Sequence, residues 1–400
     1  MGAQRTKLAF FTFFSLAMAM ADPPRSNRRE FLVGRAAGDA LVHVVQEAAD
    51  RIGQFADAID PPRPEEPQAS YVAIVQRRAM ACNFEVRLNA RPTGASGPAT
   101  AAALAALDLV EDLETQLTVY RDTSEVVEIN RRAADGPVEV EPGLFGLLEL
   151  ADQIHHQSQG AYDLTSGPLS RIWGFHTRQG QLPKTEVIAQ ALECVGWGSL
   201  VRLDRDRQQI AFAKQGVEIN VNSLGKGYAL DLAAELLRGE CVEDFLFHGG
   251  RSSLIACGHR DGNRGWNAGL RHPLNPRVRF AMFSLENEAL STSGSATQSF
   301  LHRGKRYGHL LDPRTGWPAE GMHSVTVIAP TAAEAEALST AFYVMGRQAT
   351  AEYCLARPHL KVLLVLPTTR PGEIEVEAIN LRDEEWQIAA ASEQTLKDNK

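Results

Sequence analysis

The first half of the chain has apolar patterns that predict a strand pair and two helices. Residues 71–90 contain two β-rich runs with a short break between them, which is typical of a hairpin. Residues 99–118 place leucine and valine side chains at helical spacing, and residues 142–160 continue a similar pattern as far as Gly160. Because glycine is common just after a helix end, we expect the second helix to stop there.

The second half mixes strands and helices without a regular period. Residues 217–237 predict a strand, a glycine-containing turn and a helix, and residues 242–258 predict two strands joined by a glycine turn. Residues 323–346 predict a strand and then a helix that ends at Gly346, and residues 360–369 predict a late strand. Strands and helices interleaved in this way favour an α+β fold.

Composition is that of a globular protein with a real core. The 400 residues are 44% apolar and 22% charged, and the formal net charge is −8, which is ordinary for such proteins. No long basic run is present, so we do not expect nucleic acid as a partner. The five cysteines are scattered and form no CxxC pair, which argues against a zinc site and a disulfide framework.

The N-terminus combines two export signals. Residues 1–21 have early basic residues, an apolar run and an Ala-x-Ala cleavage pattern, so they are a candidate signal peptide. Residues 26–38 resemble a twin-arginine signal, although the segment after them is too charged for an export core. We expect the protein in the cell envelope or periplasm; a true start at Met18 or Met20 would instead leave it cytoplasmic.

The remaining boundaries follow from composition. Residues 22–70 predict an amphipathic helix and then a Pro-rich linker. We therefore expect the folded domain at residues 71–370 and a C-terminal tail at residues 371–400.

Two glycine-containing turns are candidate ligand sites. Gly225 and Gly227 flank Lys226 where the predicted strand becomes a helix, and a helix N-terminus favours anions such as phosphate. The phosphate-loop pattern is incomplete, so a tight turn with an exposed lysine remains an equal alternative. The glycine pair at 249–250 permits a sharp turn or close ligand approach, and taken alone it favours a plain turn.

The last predicted helix carries a candidate metal face. Thr331 and Glu334 have the spacing of a helix-capping box. Glu336, Ser339 and Thr340 then share one helix face, and their oxygens are hard ligands suited to Mg²⁺. An exposed polar face is the alternative interpretation.

His309 precedes a rigid corner in the stretch GHLLDPRTGWP. Asp312, Pro313 and Gly316 are typical turn residues, so the corner is expected to hold its surroundings in a fixed position. An imidazole titrates near neutral pH and can act as a general base, although a lone histidine is more often structural.

Taken in chain order, the motifs resemble the FAD:protein FMN transferase family, also called the ApbE or thiamine-biosynthesis-lipoprotein family. The resemblance covers about Met80 to Gly346 and is carried by LTVYRDTSEVVEIN, GAYDLTSGPLSRIWGF, INVNSLGKGYALD, FHGGRSSLIACG, ALSTSGSATQSF, RYGHLLDPRTGWP and SVTVIAPTAAEAEALSTAFYVMG. It implies a T-fold-like flavin transferase domain. It also implies Mg²⁺-dependent transfer of FMN from FAD to a Thr or Ser hydroxyl of a target protein.

The resemblance further implies a role for each candidate residue. FAD would contact Met80, Tyr120, Ala161, Tyr162, Asp163, Asn220, Lys226 and Leu311. The metal would take the Ser223 carbonyl, Glu336, Ser339 and Thr340. His309 would be the catalytic residue, and the acceptor would be an envelope redox protein with a Ser/Thr-Gly-Ala-Thr-like motif, which places the enzyme near the membrane surface only through its targets.

Four positions depart from the family pattern and leave alternatives open. Asn220, Arg251, Glu336 and Ser339 together lower the negative charge expected around the metal. The alternatives are an FAD-binding protein without transfer chemistry and a pyrophosphatase that releases FMN and AMP. The stretch at 292–298 resembles an acceptor motif centred on Thr297, but we interpret it as part of the fold.

Overall fold

The structure is a computed structural model, and it describes residues 71–90, 97–260, 262–295, 298–370 and 372–389. Contacts divide the chain into residues 1–68 and residues 69–400, and every described residue belongs to the second unit. The candidate export signals, the N-terminal helix, the linker and Thr297 lie outside the described residues. Within the described part of the chain, no helix is both long and apolar enough to cross a membrane.

Helices and strands alternate along the chain. The helices are α1 (Gly97–Leu117), α2 (Glu125–Arg132), α3 (Pro142–Gln157), α4 (Gly167–Ile172), α5 (Thr185–Leu192), α6 (Trp197–Leu200), α7 (Gly225–Gly239) and α8 (Ala332–Leu355). The strands are β1 (Tyr71–Ala79), β2 (Cys82–Ala90), β3 (Val138–Glu139), β4 (Val201–Asp204), β5 (Gln209–Phe212), β6 (Phe245–Gly249), β7 (Ser253–Cys257), β8 (Trp266–Arg271), β9 (Arg279–Leu285), β10 (Glu288–Gly294), β11 (Ser299–His302), β12 (Lys305–Gly308), β13 (Ser324–Ala329), β14 (Lys361–Pro367), β15 (Ile374–Ile379) and β16 (Trp386–Ile388).

An eight-stranded antiparallel sheet organises these elements, in the order β1-β2-β6-β7-β10-β13-β14-β15. The predicted hairpin at its edge is confirmed, and its turn is formed by Met80 and Ala81, both at positive φ. Three small sheets accompany the main one: β11-β12, β8-β9-β16 and β3-β4-β5.

Strand alternation separates two apolar cores. On β14, Val362 and Leu364 face the larger core, which contains α1, α7 and α8, whereas Leu363 and Val365 face a smaller one. The smaller core is closed by the β8-β9-β16 sheet through aromatic residues such as Phe283. Helices packed on one face of an antiparallel sheet confirm the expected α+β class.

The strand predicted at residues 217–221 does not form. The Ile219 N–H donates to Asn130 Oδ1 at 2.7 Å, and the Asn220 N–H donates to the Leu164 carbonyl at 2.9 Å. Because side-chain and loop acceptors satisfy this backbone, the segment needs no strand partner. Its apolar residues are nonetheless buried, which explains the strand-like pattern.

Two predicted ends also differ from the structure. Gly346 interrupts α8 at φ 81° and ψ 176°, but helical structure resumes after it and continues to Leu355. The stretch after residue 370, which we expected as a tail, contributes β15 to the main sheet and β16 to the small one. Ile374 is buried in the smaller core, so this stretch gains apolar contacts that its composition alone did not indicate.

Candidate active site

A cavity of about 450 Å³ brings together residues that are far apart in sequence. Among those implied by the resemblance, the lining includes Tyr120, Ala161, Tyr162, Asp163, Asn220, Ser223, Lys226, His309, Leu311, Glu336 and Thr340. The volume lies within the range of small-molecule sites.

Met80 and Ser339 are not among the lining residues. Met80 lies in the β1–β2 turn and packs partly against the larger core. Ser339 is fully buried beneath the cavity, where its hydroxyl lies 2.8 Å from Ser293 Oγ. Ser293 itself lines the cavity, so Ser339 contacts the site through one intervening hydroxyl. The roles expected for both residues stay predictions.

An ion pair forms the centre of the cavity floor, which we define as Lys226, Ser293, Glu336 and Thr340. Lys226 Nζ contacts Glu336 Oε1, and the Gly227 N–H donates to Glu336 Oε2 at 2.6 Å. Burial lowers the pKa of Lys226 to about 8, while the adjacent carboxylate favours the ammonium form. The floor therefore presents the Lys226 ammonium group, whose positive charge is partly balanced by the Glu336 carboxylate.

Glycine at position 227 lets α7 approach α8 closely. A Cβ atom there would collide with the Ala332 carbonyl. Asp231, one turn further along α7, accepts hydrogen bonds from the N–H groups of Ala332 at 2.7 Å and Ala333 at 2.9 Å. Thr331 Oγ1 accepts from the Glu334 N–H, which confirms the predicted N-cap. Burial raises the pKa of Asp231 to about 6. These contacts fix the helix that carries Glu336.

Hydroxyl groups supply further oxygen donors on the floor. Ser293 Oγ lies 3.2 Å from Thr340 Oγ1, and Ser253 Oγ donates to Glu336 at 3.3 Å. No cluster of three or more His, Cys, Asp or Glu side chains suited to a metal occurs among the described residues. One carboxylate with hydroxyl and carbonyl oxygens fits a Mg²⁺ ion that keeps waters and binds phosphate oxygens. It does not fit a bare, all-protein metal cage.

The wall beside the floor is held by buried polar contacts. Tyr162 Oη lies 2.9 Å from Ser223 Oγ. Asp163 accepts hydrogen bonds from the Thr165 N–H at 2.7 Å and the Trp197 N–H at 2.8 Å. The Asp163 carboxylate is therefore already occupied in holding its loop in place. Tyr120 differs, because 69% of its surface is exposed.

His309 lines the same cavity, and one nitrogen of its ring is held by a hydrogen bond. Its Nδ1 is 3.0 Å from the Gln298 carbonyl, which can only accept, so Nδ1 carries the proton and Nε2 remains a free acceptor. Phe175 packs edge-on against the ring with centroids 6.4 Å apart. Burial lowers the pKa of His309 below its ordinary 6.5, which keeps the imidazole neutral near neutral pH.

The corner after His309 is a hydrogen-bonded turn, as its residues predict. The Gly316 N–H donates to the Asp312 carbonyl at 2.8 Å, and Gly316 has φ 75°. Trp173 Nε1 donates to the Gly316 carbonyl at 2.9 Å. This turn anchors the segment after His309 to the buried cluster that contains Trp173 and Leu311.

Other lining residues had not been singled out by sequence. They include Ser166, Ser170, Phe175, His176, Arg178, Ser252, Ser291, Thr292, Ser293 and Gln298. The serines of β10 fall in the quoted segment ALSTSGSATQSF, so a signal for them existed. His176 and Arg178 follow no recognisable pattern, and only the fold places them at the cavity.

Similar proteins define the class to which this fold and site belong. The ApbE family profile matches residues 80–364. The FAD:protein FMN transferase of Escherichia coli K12 is 28% identical over 324 residues, which cover 78% of this chain and 88% of that protein. The enzyme of the same name from Haemophilus influenzae is 27% identical over 268 residues, covering 65% and 77% of the two chains.

Solved structures agree in fold. The ApbE protein of Thermotoga maritima superposes with a TM-score of 0.67 and 28% identity, covering 76% of this chain and 96% of that one. The flavin transferase ApbE of Vibrio cholerae gives a TM-score of 0.67 at 22% identity, covering 77% and 97%. The chain belongs to the ApbE family, and the expected flavin transferase fold is confirmed.

Proposed function

We propose that the protein transfers FMN from FAD to a Ser or Thr hydroxyl of an acceptor protein, with Mg²⁺ as cofactor. The observation that carries this proposal is that one cavity is lined both by the neutral imidazole of His309, held at Nδ1, and by the Lys226–Glu336 ion pair of the floor. The relatives named FAD:protein FMN transferase support it.

The reaction requires one bond to form and one to break. The acceptor hydroxyl oxygen attacks the phosphorus of the FMN half of FAD, and the bond from that phosphorus to the bridging oxygen breaks. The products are a phosphoester-linked FMN and AMP, and the hydroxyl proton goes to His309 Nε2, which is free to accept it. Since phosphoryl transfer depends mainly on positioning and charge stabilisation, these are the tasks left to the protein.

The floor residues are suited to the second task. Lys226 offers an ammonium group to the diphosphate, and Glu336, Thr340 and the Ser223 carbonyl would hold Mg²⁺. When bound, Mg²⁺ supplies neutralisation of charge on phosphate oxygens. Tyr120 is exposed enough to stack on a flat ring, whereas Tyr162 is tied into the wall.

The test is a transfer assay with FAD, Mg²⁺ and a peptide bearing the Ser/Thr-Gly-Ala-Thr-like motif. We expect covalent FMN on the peptide by mass spectrometry, together with one AMP for each FMN transferred. Free FMN and AMP with or without peptide would instead identify a pyrophosphatase, and intact bound FAD would identify a carrier. Sequencing the mature N-terminus tests our further proposal that the protein acts in the cell envelope.

A further inference from the structure

Two acid-free segments meet at the mouth of the cavity. Residues 164–185 and 289–311 contain no Asp or Glu, although the whole chain has 49 acidic and 41 basic residues. The first segment supplies Phe175, His176 and Arg178 to the cavity lining, and the second supplies Gln298 and His309. Basic charge is therefore concentrated next to the candidate catalytic histidine.

The two segments form one surface because aromatic side chains join them. The Phe175 and Phe300 ring centroids are 5.8 Å apart, and those of Trp173 and Tyr307 are 5.6 Å apart. Gln298 Nε2 also donates to the Phe175 carbonyl at 2.6 Å. The two segments are thus held together beside the cavity.

Three arginines of this surface lack an acidic partner among the described residues: Arg178, Arg303 and Arg306, which we call the basic rim. All three are exposed. Nearby, Arg171 pairs with Glu218 and Lys305 pairs with Glu320. Since those two pairs are already balanced, the basic rim carries the uncompensated positive charge.

We infer that the basic rim binds acidic residues that flank the acceptor hydroxyl in the target protein. This inference rests on the proposed function. The β11–β12 hairpin continues directly from Gln298 and His309, which are held together by the His309 N–H donating to the Gln298 carbonyl. A segment bound along the hairpin therefore extends from the rim towards the histidine that receives the hydroxyl proton.

Strand geometry sets where the acidic residues should be. An extended chain advances about 3.3 Å per residue, so Arg303, in the turn beyond Lys305, lies well away from His309, whereas Arg306 lies roughly 10 Å from His309 along β12. An extended acceptor segment with Asp or Glu about three or four positions from its hydroxyl would span that distance. An anionic membrane is a less suitable occupant, because it would cover the mouth that the acceptor must enter.

The experiment uses three acceptor peptides of equal length that share the motif and differ only in flanking residues: acidic, neutral or basic. For the wild-type protein at low salt we expect kcat/KM to be about tenfold higher for the acidic peptide than for the neutral one. The difference should shrink as salt shortens the range of the interaction. The double variant R303E/R306E should prefer the basic peptide.

The control variant is R202E/R207E, which makes the same change in charge. Arg202 and Arg207 are exposed on and after β4, and neither lines the cavity nor forms an ion pair with a described residue. We expect the control to keep the preference of the wild type. FAD affinity, measured by flavin fluorescence, should be equal in all three proteins.

A binding assay separates this inference from the proposed function. Fluorescently labelled peptides with Ala at the acceptor position have no hydroxyl to react. Differences in their affinities therefore measure the attraction between the basic rim and the flanking charges, without any transfer step. If no peptide is ever flavinylated but the acidic peptide still binds best, the proposed function fails and the rim inference stands. Equal binding of all peptides would overturn the inference.

Two further outcomes would also overturn it. If R303E/R306E weakens FAD binding as much as peptide transfer, the rim attracts the dinucleotide instead. If anionic phospholipid vesicles bind the wild type but not R303E/R306E, and the peptides show no preference, the rim is a membrane surface. Unfolding temperatures of both double variants verify that they are folded.

Discussion

The floor and the basic rim of the cavity differ in how their charges are compensated. On the floor, the partly buried Lys226 is paired with the buried Glu336, which also accepts hydrogen bonds from Gly227 and Ser253. At the rim, Arg303 and Arg306 are exposed and have no acidic partner among the described residues. Buried, paired charges are costly to alter and hold a fixed geometry, whereas exposed charges act through long-range attraction. The floor thus suits chemistry on one fixed ligand, and the rim suits recognition of a mobile partner.

His309, which belongs to neither region, should show the largest effect when it is replaced. His309→Ala removes the imidazole that Gln298 positions, so transfer should fall by about 10²- to 10⁴-fold. FAD affinity should change little, since the floor is intact. Transfer measured by mass spectrometry, beside fluorescence titration of FAD, separates the two effects. His302→Ala on the same hairpin is the control, and a transfer rate within tenfold of the wild type for His309→Ala would contradict the role.

Lys226→Met tests the floor. It leaves the Glu336 carboxylate buried without its partner, so the free energy of unfolding should fall by about 3 kcal/mol. FAD should bind about a hundredfold more weakly, because an ammonium group facing the diphosphate is lost. Denaturant unfolding and fluorescence titration measure the two quantities.

A double variant sharpens that result. Lys226→Met with Glu336→Gln removes both charges, so stability should recover while FAD affinity does not. Lys305→Met, which removes the exposed pair with Glu320 and the contact of Lys305 Nζ with the Tyr307 ring, serves as the matched lysine control and should change both quantities little. If Lys226→Met left the free energy of unfolding unchanged, the Lys226–Glu336 ion pair would make no contribution to stability.

The pH dependence of the transfer rate should be a smaller effect, with a roughly tenfold fall for each pH unit below the pKa of His309. The neutral imidazole of His309 is the active form, and burial lowers its pKa below 6.5. The rate should therefore stay level near neutral pH and fall only at more acidic pH. Since the unfolded state binds this proton more readily, stability should also fall as pH drops below 6.5. If single-turnover rates instead began to fall at a pH above 6.5, the role of neutral His309 would be contradicted.

Asp231→Ala should give the smallest effect. It removes the acceptor for two N–H groups at the start of α8, a loss of about 1 kcal/mol. The pKa of Asp231 is about 6 in the folded protein and 3.8 in its ordinary state, so the folded protein binds this proton more tightly. Protonation of Asp231 therefore stabilises the protein fully below pH 3.8, and this contribution is lost as pH rises through 6. The destabilisation should thus be larger at acidic pH. Glu235→Ala, on the exposed side of α7, is the control for thermal unfolding.

Sequence alone determined the parts of this protein that depend on local pattern. The hairpin of residues 71–90, the helix α1 and the Thr331 cap all follow from spacing and residue type, because their stabilising contacts are close in sequence. The order of the motifs identified the family, and with it eleven of the residues that line the cavity.

Only the tertiary structure decided contacts between distant segments. Asn130 satisfies the backbone at Ile219 across 89 residues, which turned an apparent strand into an irregular segment. Arg178 and His309 line one cavity because aromatic rings join two segments that are remote in sequence. No local pattern encodes such pairings, since their free energy comes from side chains that meet only after the chain has folded.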